Sequence, residues 1–394
     1  MSQPHEEVAT TQQADGAATT QQADGAATTQ QADGAAATQQ ADGAAATQPA
    51  DADGAAATQP ADGAAVTQPA GGAGAIQLRR LLRRNRPVLY AYGLLLALAL
   101  IGQVITGGFL APSHIDELII TGAFIAFVAC GQTFVILTGG VDLSIPWTLN
   151  GAAVLLTLWA GGDSARMIWL VPLLIVGGAF IGLLNGVGVA FLRIPPIIMT
   201  LGMSSVVEGG LLLYTNGGSG GSAPPADVYL ATHRWSYFPV VAILWIVVLV
   251  VATIVLGATP FGRRLYAVGL NSRVAYFAGV SVKQITVCVY VVSGMAGVIA
   301  GVALAGYVGG SYLGMGDPYL FASVAAVAIG GASILGGSGN YVGTTAGALA
   351  LAVLAALLPV LGFPQAALEI VYGCVILGAI AVSSAKVGAR RRTE

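Results

Sequence analysis

From about residue 88 onward, long apolar runs alternate with short connections that are glycine-rich or nearly uncharged. Runs close to the ~20 residues that cross a bilayer fall at approximately 88–107, 118–138, 146–161, 168–191, 196–215, 238–258, 283–308, 318–334, 341–361 and 365–384. This pattern predicts an all-α polytopic membrane protein with about ten transmembrane helices. The third and eighth runs are short or glycine-rich and are expected to be broken or re-entrant. Three GxxxG pairs, Gly182–Gly186, Gly297–Gly301 and Gly343–Gly347, allow close helix approach. Such glycines also fit close packing with no part in transport. Their density favours a tightly packed bundle over a single anchor.

Composition agrees with lipid as the solvent. Of 394 residues, 56% are hydrophobic and 9% charged, where a soluble domain carries roughly 25% charged residues. The near-neutral total hides two unlike parts. Residues 1–77 form a degenerate nine-residue repeat, in which ATTQQADGA at Ala9–Ala17 recurs at Ala18 and Ala27 and drifts to AAATQPADG. This tail holds nine acids and no Lys or Arg, so the rest carries all 16 basic residues against 18 − 9 = 9 acids. The tail cannot bury enough apolar surface to offset its ordering entropy and is expected to be disordered. It is a solvated tether or an expanded repeat with no specific role. Residues 78–394 then form the transmembrane domain. The start lacks a basic region leading into an apolar stretch, so the first span is expected to act as the insertion signal in place of a cleaved signal peptide.

Basic residues set the expected orientation. With the N-terminus inside, the inner segments hold Arg79, Arg80, Arg83, Arg84, Arg86, Arg193, Arg263, Arg264, Arg273, Lys283, Lys386, Arg390, Arg391 and Arg392. Only Arg166 and Arg234 fall outside. A 14-to-2 split predicts a multi-pass protein of the cytoplasmic membrane with both termini in the cytoplasm.

The candidate chemistry is sparse. Cys130, Cys288 and Cys374 lie in apolar runs without a CxxC and read as small buried hydrophobes. His5, His114 and His233 are scattered, which argues against a zinc site, and no metal or cofactor is expected. No G-x-x-x-x-G-K-[ST] occurs, so ATP hydrolysis by this chain is not expected. No nucleophile–base pair argues for an enzyme, and nothing points to nucleic acid. Glu208, beside Ser204 and Ser205, is the clearest mid-span carboxylate. A charge at membrane depth is costly and marks a functional candidate. It either lines a polar pathway or is satisfied by a neighbouring helix.

Four stretches are more specific. ILTGGVDLSIP (Ile136–Pro146) places Gly139 and Gly140 before Asp142 and Ser144, where Asp142 is expected to cap a turn or short helix. LNGVGVAFLRIPPIIMTLGM (Leu184–Met203) carries Asn185, then Arg193 and Pro195-Pro196, which fix the re-entry of a span. AIGGASILGGSGNYVGTTAGALALAVL (Ala328–Leu354) holds Gly330, Gly331, Gly336 and Gly337, doublets that permit positive φ. The fourth, Phe261–Lys283, concentrates Arg263, Arg264, Arg273 and Lys283. Within it Asn271 or Ser272 is a fitting N-cap and Gly279 a fitting C′ residue. Val274, Phe277 and Ala278 then share one apolar face of a helix of about two turns. That helix is suited to the cleft of a soluble partner or to the lipid headgroups.

In register, these four stretches resemble the permease family of ATP-driven importers for ribose, xylose, galactose and related sugars. The resemblance covers roughly residues 90–385. Ile145-Pro146, Ser338 and Ser272-Arg273-Val274 depart from the family pattern. The resemblance implies a membrane subunit that pairs with a second copy of itself. It also implies a tandem ATP-binding subunit on the cytoplasmic face and an extracytoplasmic sugar-binding protein outside. Arg263–Gly279 would then receive the ATPase cycle, and a monosaccharide would cross by alternating access. The competing readings are an ATP-driven permease for branched-chain amino acids or nucleosides, an ion-coupled carrier, and a scaffold working through its acidic tail.

Overall fold

A computed structural model describes residues 86–391, apart from 219, 236 and 237. The repeat tail and Arg79, Arg80, Arg83, Arg84 and Arg392 of the charge count lie outside the described residues. The helices, in chain order, are α1 (Arg86–Thr106), α2 (Pro112–Leu137), α3 (Ile145–Ala160), α4 (Met167–Ala190), α5 (Pro196–Thr215), α6 (Pro225–Thr232) and α7 (Val240–Ala258). Then follow α8 (Pro260–Leu270), α9 (Ser272–Phe277), α10 (Val282–Val308), α11 (Tyr319–Ile329), α12 (Tyr341–Val360) and α13 (Gln365–Arg391). A hairpin pairs Arg234–Trp235 with Phe238–Pro239 between α6 and α7.

Each of the ten apolar runs is a helix. Eight are long enough to cross a bilayer, whereas α3 and α11 are short, as the third and eighth runs suggested. The eighth ends earlier than its apolar run, at Ile329, because Gly330 and Gly331 follow and Gly331 takes a left-handed φ of 83°. From there to Asn340 the chain is a glycine loop.

α2 forms the axis of the bundle. It is apolar on every side, and 89% of its spanning window is buried, against 11% for α1, α5 and α13. Its neighbours are α10, α12, α11 and α7. The peripheral helices expose large apolar side chains such as Leu96, Val104, Leu213 and Ile370, a surface suited to lipid. Two cysteines correct the expectation of burial: only Cys130, on α2, is buried, while Cys288 and Cys374 sit on exposed helix faces.

All three GxxxG pairs lie at close crossings. A Cβ added at Gly182 or Gly186 of α4 would run into the α10 main chain at Tyr290 or Val287. Gly301 of α10 abuts the Leu149 carbonyl of α3, and Gly343 and Gly347 of α12 abut Gly330 and Ala326. Gly182→Ala is therefore expected to cost about 1–3 kcal/mol through overpacking, read as a lower Tm in detergent. Gly177→Ala, where the added carbon meets nothing within 4 Å, should leave Tm unchanged or raised.

The long connection after α5 is structured. Asn216, in the left-handed region at φ 51°, ends α5. α6 then packs on α10, with Asp227 against Gly306. Arg234 pairs with Asp116 at 3.5 Å, and His233 stacks on Tyr229. Asp227 is 2% exposed, one of its carboxylate oxygens has no hydrogen-bond partner, and burial pushes its carboxyl up to about 7. A raised carboxyl means the folded state binds the extra proton, so the stability it contributes at low pH is lost as pH rises from about 4 to 7 and stays lost above. Relative to wild type, Asp227→Asn should flatten that part of the Tm–pH profile. An unchanged profile in the variant would show that Asp227 does not titrate in this range.

Candidate functional site

The charged connection Phe261–Lys283 folds as two helices rather than one. α8 begins where Thr259 accepts from Gly262 N at 3.2 Å and Pro260 occupies the first turn, a favourable start. It turns Leu265 and Val268 inward and leaves Arg263 and Arg264 exposed. The spacing of Phe261, Leu265 and Val268 after Thr-Pro is the sequence signal for this helix. α9 follows immediately. Asn271 Oδ1 accepts from Arg273 N and Val274 N at 3.0 and 3.1 Å. At the other end Gly279, φ 79°, donates to Tyr276 O and Val280 N donates to Ala275 O, which makes a Schellman stop.

The side chains of α9 point away from the bundle. Ala275 is buried, but Val274 is 62% and Phe277 85% exposed, so the apolar face has no partner within the described residues. A groove of about 840 Å³ beside it is lined by Phe191, Arg273, Tyr276, Phe277 and Lys283. Lys283 Nζ lies 4.7 Å from the centre of the Phe191 ring, a cation–π contact.

The inward side of α8 is tied to the bundle through main chain. A Cβ on Gly269 would strike the Leu137 carbonyl at the end of α2 and Gly337 N of the glycine loop. Gly337 N itself donates to Leu137 O at 2.9 Å. Gly336 lies against Gly139 and the Gly269 carbonyl, and Tyr266 donates through its hydroxyl to Gly339 O at 2.8 Å. Gly139, Gly336 and Gly337 all hold φ between 78° and 91°, where a side chain would be strained. Three of the four sequence stretches thus meet at one floor: the end of α2, the glycine loop and α8. Tyr266 and Gly269 are contacts that the sequence reading did not single out.

Just above, Asp142 sits in a buried polar knot. Its Oδ1 accepts from Ser144 N and Oγ at 2.9 and 2.6 Å, and its Oδ2 accepts from Ser293 Oγ at 2.7 Å. Gln132 clasps the Asp142 main chain with both ends of its amide. Asn185 donates to Ser144 Oγ at 2.8 Å. The knot joins α2, α4 and α10 to the start of α3. Apart from Asn185 Oδ1, which is buried without a partner among the described residues, it meets the requirement that a polar group at membrane depth be hydrogen-bonded. Gln132 and Ser293 were not anticipated, because isolated polar residues in apolar runs carry no motif.

Arg193, at φ 58°, turns the chain into Pro195, and Pro196 opens α5. Glu208, Ser204 and Ser205 stand apart from the floor on α5, with Ser205 exposed and the other two half-buried. Glu208 lies near Asp317 of the Gly309–Asp317 connection. Burial first, and the Glu208 charge second, raise the Asp317 carboxyl above its usual value. Asn150 of α3 braces that loop, with its amide turned so that it donates to Tyr312 O and accepts from Gly314 N, both at 2.9 Å. Thr157 and Ser311 pair at 2.7 Å. A mostly apolar cavity of about 290 Å³, bordered by Gly151, Gly178, Val207 and Tyr214, separates α3, α4 and α5. Among the described residues no cluster of three or more His, Cys, Asp or Glu could hold a metal.

Known proteins share this arrangement of sequence. The ribose import permease protein RbsC of Bacillus subtilis (strain 168) is 33% identical over 296 residues, covering 74% of this chain and 91% of that protein. The autoinducer 2 import system permease protein LsrD of Photorhabdus temperata is 28% identical over 302 residues, covering 74% and 90%. Its counterpart in Escherichia coli (strain K12) is 29% identical over 243 residues, covering 59% and 73%. No solved structure matches. The family described as branched-chain amino acid transport system / permease component matches residues 114–380. With two thirds of its length inside that match, the chain belongs to this family of membrane permeases.

Proposed function

We propose that the chain is the membrane-spanning subunit of an ATP-binding-cassette importer and carries a monosaccharide, or a compact polyol of similar size, into the cell by alternating access. The observation that carries this reading is the two-sided character of α8–α9. Its lower side presents Val274, Phe277 and Arg273 outward, and its upper side is locked to Leu137 and Gly337. A partner gripping the lower side therefore moves the end of α2 and the glycine loop together. The sequence has no ATP-binding motif of its own, so a separate ATPase subunit supplies the cycle. We assign that subunit as a tandem cassette and place α8–α9 and both termini on the cytoplasmic side. An extracytoplasmic binding protein would deliver the solute to the opposite face. The import of ribose and autoinducer 2 by named relatives favours a small polyhydroxylated solute over a branched-chain amino acid.

The working unit is a homodimer, with the pathway between copies. α5 supports this: Gly202, Ser205 and Gly209 leave open space on a face that also carries Glu208 at its margin. A carboxylate and a serine do not belong against lipid. The test reconstitutes the chain with its ATPase and binding proteins and measures uptake of labelled ribose, galactose and leucine. Ser205→Cys should cross-link two copies. Leucine uptake without sugar uptake would move the assignment to amino acids, and uptake driven by an ion gradient without ATP would refute the importer.

A further inference from the structure

A gap of about 860 Å³ lies beside α8, on the side away from the α9 groove, between the start of α1, the end of α7 and the glycine loop. α12 packs against both α1 and α7, and its first turn, at Tyr341 and Val342, closes the gap from within. The wall toward α8 is polar, with Arg263, Ser338 and Asn340. Arg263 is exposed and reaches the Ala258 carbonyl at 3.4 Å, so its guanidinium stands at the level where α7 ends. The opposite side is uncharged and mostly apolar, with Val88 on α1 and Thr253, Leu256 and Gly257 on α7. Thr253 and Gly257 are both exposed, and a Cβ added at Gly257 would meet nothing within 4 Å. At 1.5 Å rise per residue, Thr253 lies about 8 Å from the end of α7, the depth of the first acyl carbons. The gap thus opens sideways, in the plane of the membrane, with a cation at headgroup level and an apolar channel below it. Among the described residues no carboxylate lines it.

We propose that this gap binds an anionic phospholipid, with the phosphate at Arg263 and one acyl chain lying along Thr253 and Gly257. The charge selects an anion, and the lateral apolar mouth selects a lipid over a soluble phosphate. The bound lipid would bridge α7–α8 to the glycine loop, two parts that already meet where Gly269 packs on Gly337. It would stiffen the floor through which an ATPase cycle acts. The proposal rests on α8 lying at the membrane surface, as the transport reading has it.

The experiment places the full chain in nanodiscs of phosphatidylcholine with phosphatidylglycerol and counts retained lipids by native mass spectrometry. Wild type is expected to retain phosphatidylglycerol in preference to phosphatidylcholine. Arg263→Gln should lower that retention about fivefold, the weight of one basic side chain at an anionic surface. Thr253→Leu with Gly257→Leu, which fills the mouth and leaves the charge, should lower it at least as much. Equal retention of the two lipids by wild type, as residues 78–85 filling the gap themselves would give, overturns the proposal. So does undiminished retention in both variants. Displacement by millimolar inorganic phosphate would make this a soluble-anion site and overturn it as well. Uptake is not measured, so failure here leaves the importer reading standing.

Discussion

Gly269→Ala is expected to lower ATP-driven uptake by about 10- to 100-fold while the ATPase subunit still binds. The added carbon would fall on the Leu137 carbonyl and on Gly337 N, which are both main chain and cannot rotate away. α8 must then shift from the end of α2, with an overpacking cost of about 1–3 kcal/mol. The Leu137–Gly337 hydrogen bond beneath it would be strained, a further ~1 kcal/mol. With 1.4 kcal/mol equal to a tenfold change in rate, a loss of one to two decades follows where about 1.4–2.8 kcal/mol of this cost falls on the step that transmits the stroke. The exposed face of α9 is untouched, so co-purification of the ATPase subunit should survive. Gly373→Ala, at an open position on α13, is the matched control. Normal uptake by Gly269→Ala would show that motion reaches the pathway by some other route.

The contact proposed to transmit the stroke was only half legible in the sequence. The glycine doublets and Asp142 stood out because positive φ and turn capping each leave a residue-type signature. Asn271 and Gly279 were readable for the same reason, since caps are local chemistry. Gly269 carries no such mark. It lies in the last turn of an amphipathic helix, and only the approach of two other segments, each more than 60 residues away, leaves no room for a side chain there. Gln132 and Ser293 are invisible in the same way, because their partner Asp142 is brought to them by tertiary packing. The ten apolar runs were legible since burial in lipid needs only length and composition. The order in which they nest, with α2 at the centre, left no such mark, since outlying helices such as α7 and α13 are as apolar as α2.

Phe277→Ala is expected to weaken docking of the ATPase subunit by about 10- to 100-fold, and Arg273→Glu to weaken it further in a salt-dependent way. A phenylalanine moved from water into a partner's cleft is worth about 1.5–3 kcal/mol, the range of an interface hot spot. Phe277 is 85% exposed and makes only an edge contact with Tyr276, so its removal costs the permease little stability of its own. Arg273 contributes its main-chain N–H to the Asn271 cap, and reversing its side-chain charge leaves that bond in place. Both variants should therefore insert and run as wild type in size-exclusion chromatography, yet lose uptake and co-purification together. Gly279→Pro attacks the other end: it removes the N–H that donates to Tyr276 O and forbids the φ of 79°. It should abolish uptake by unwinding the Schellman stop. The competing view, in which α9 merely rests on headgroups, makes a different forecast. Phe277→Ala would then lower thermal stability in bilayers but not in detergent, and the ATPase subunit would co-purify undiminished. Only a protein partner needs both the ring of Phe277 and the sign of the charge at Arg273, so the two variants measured side by side separate the readings.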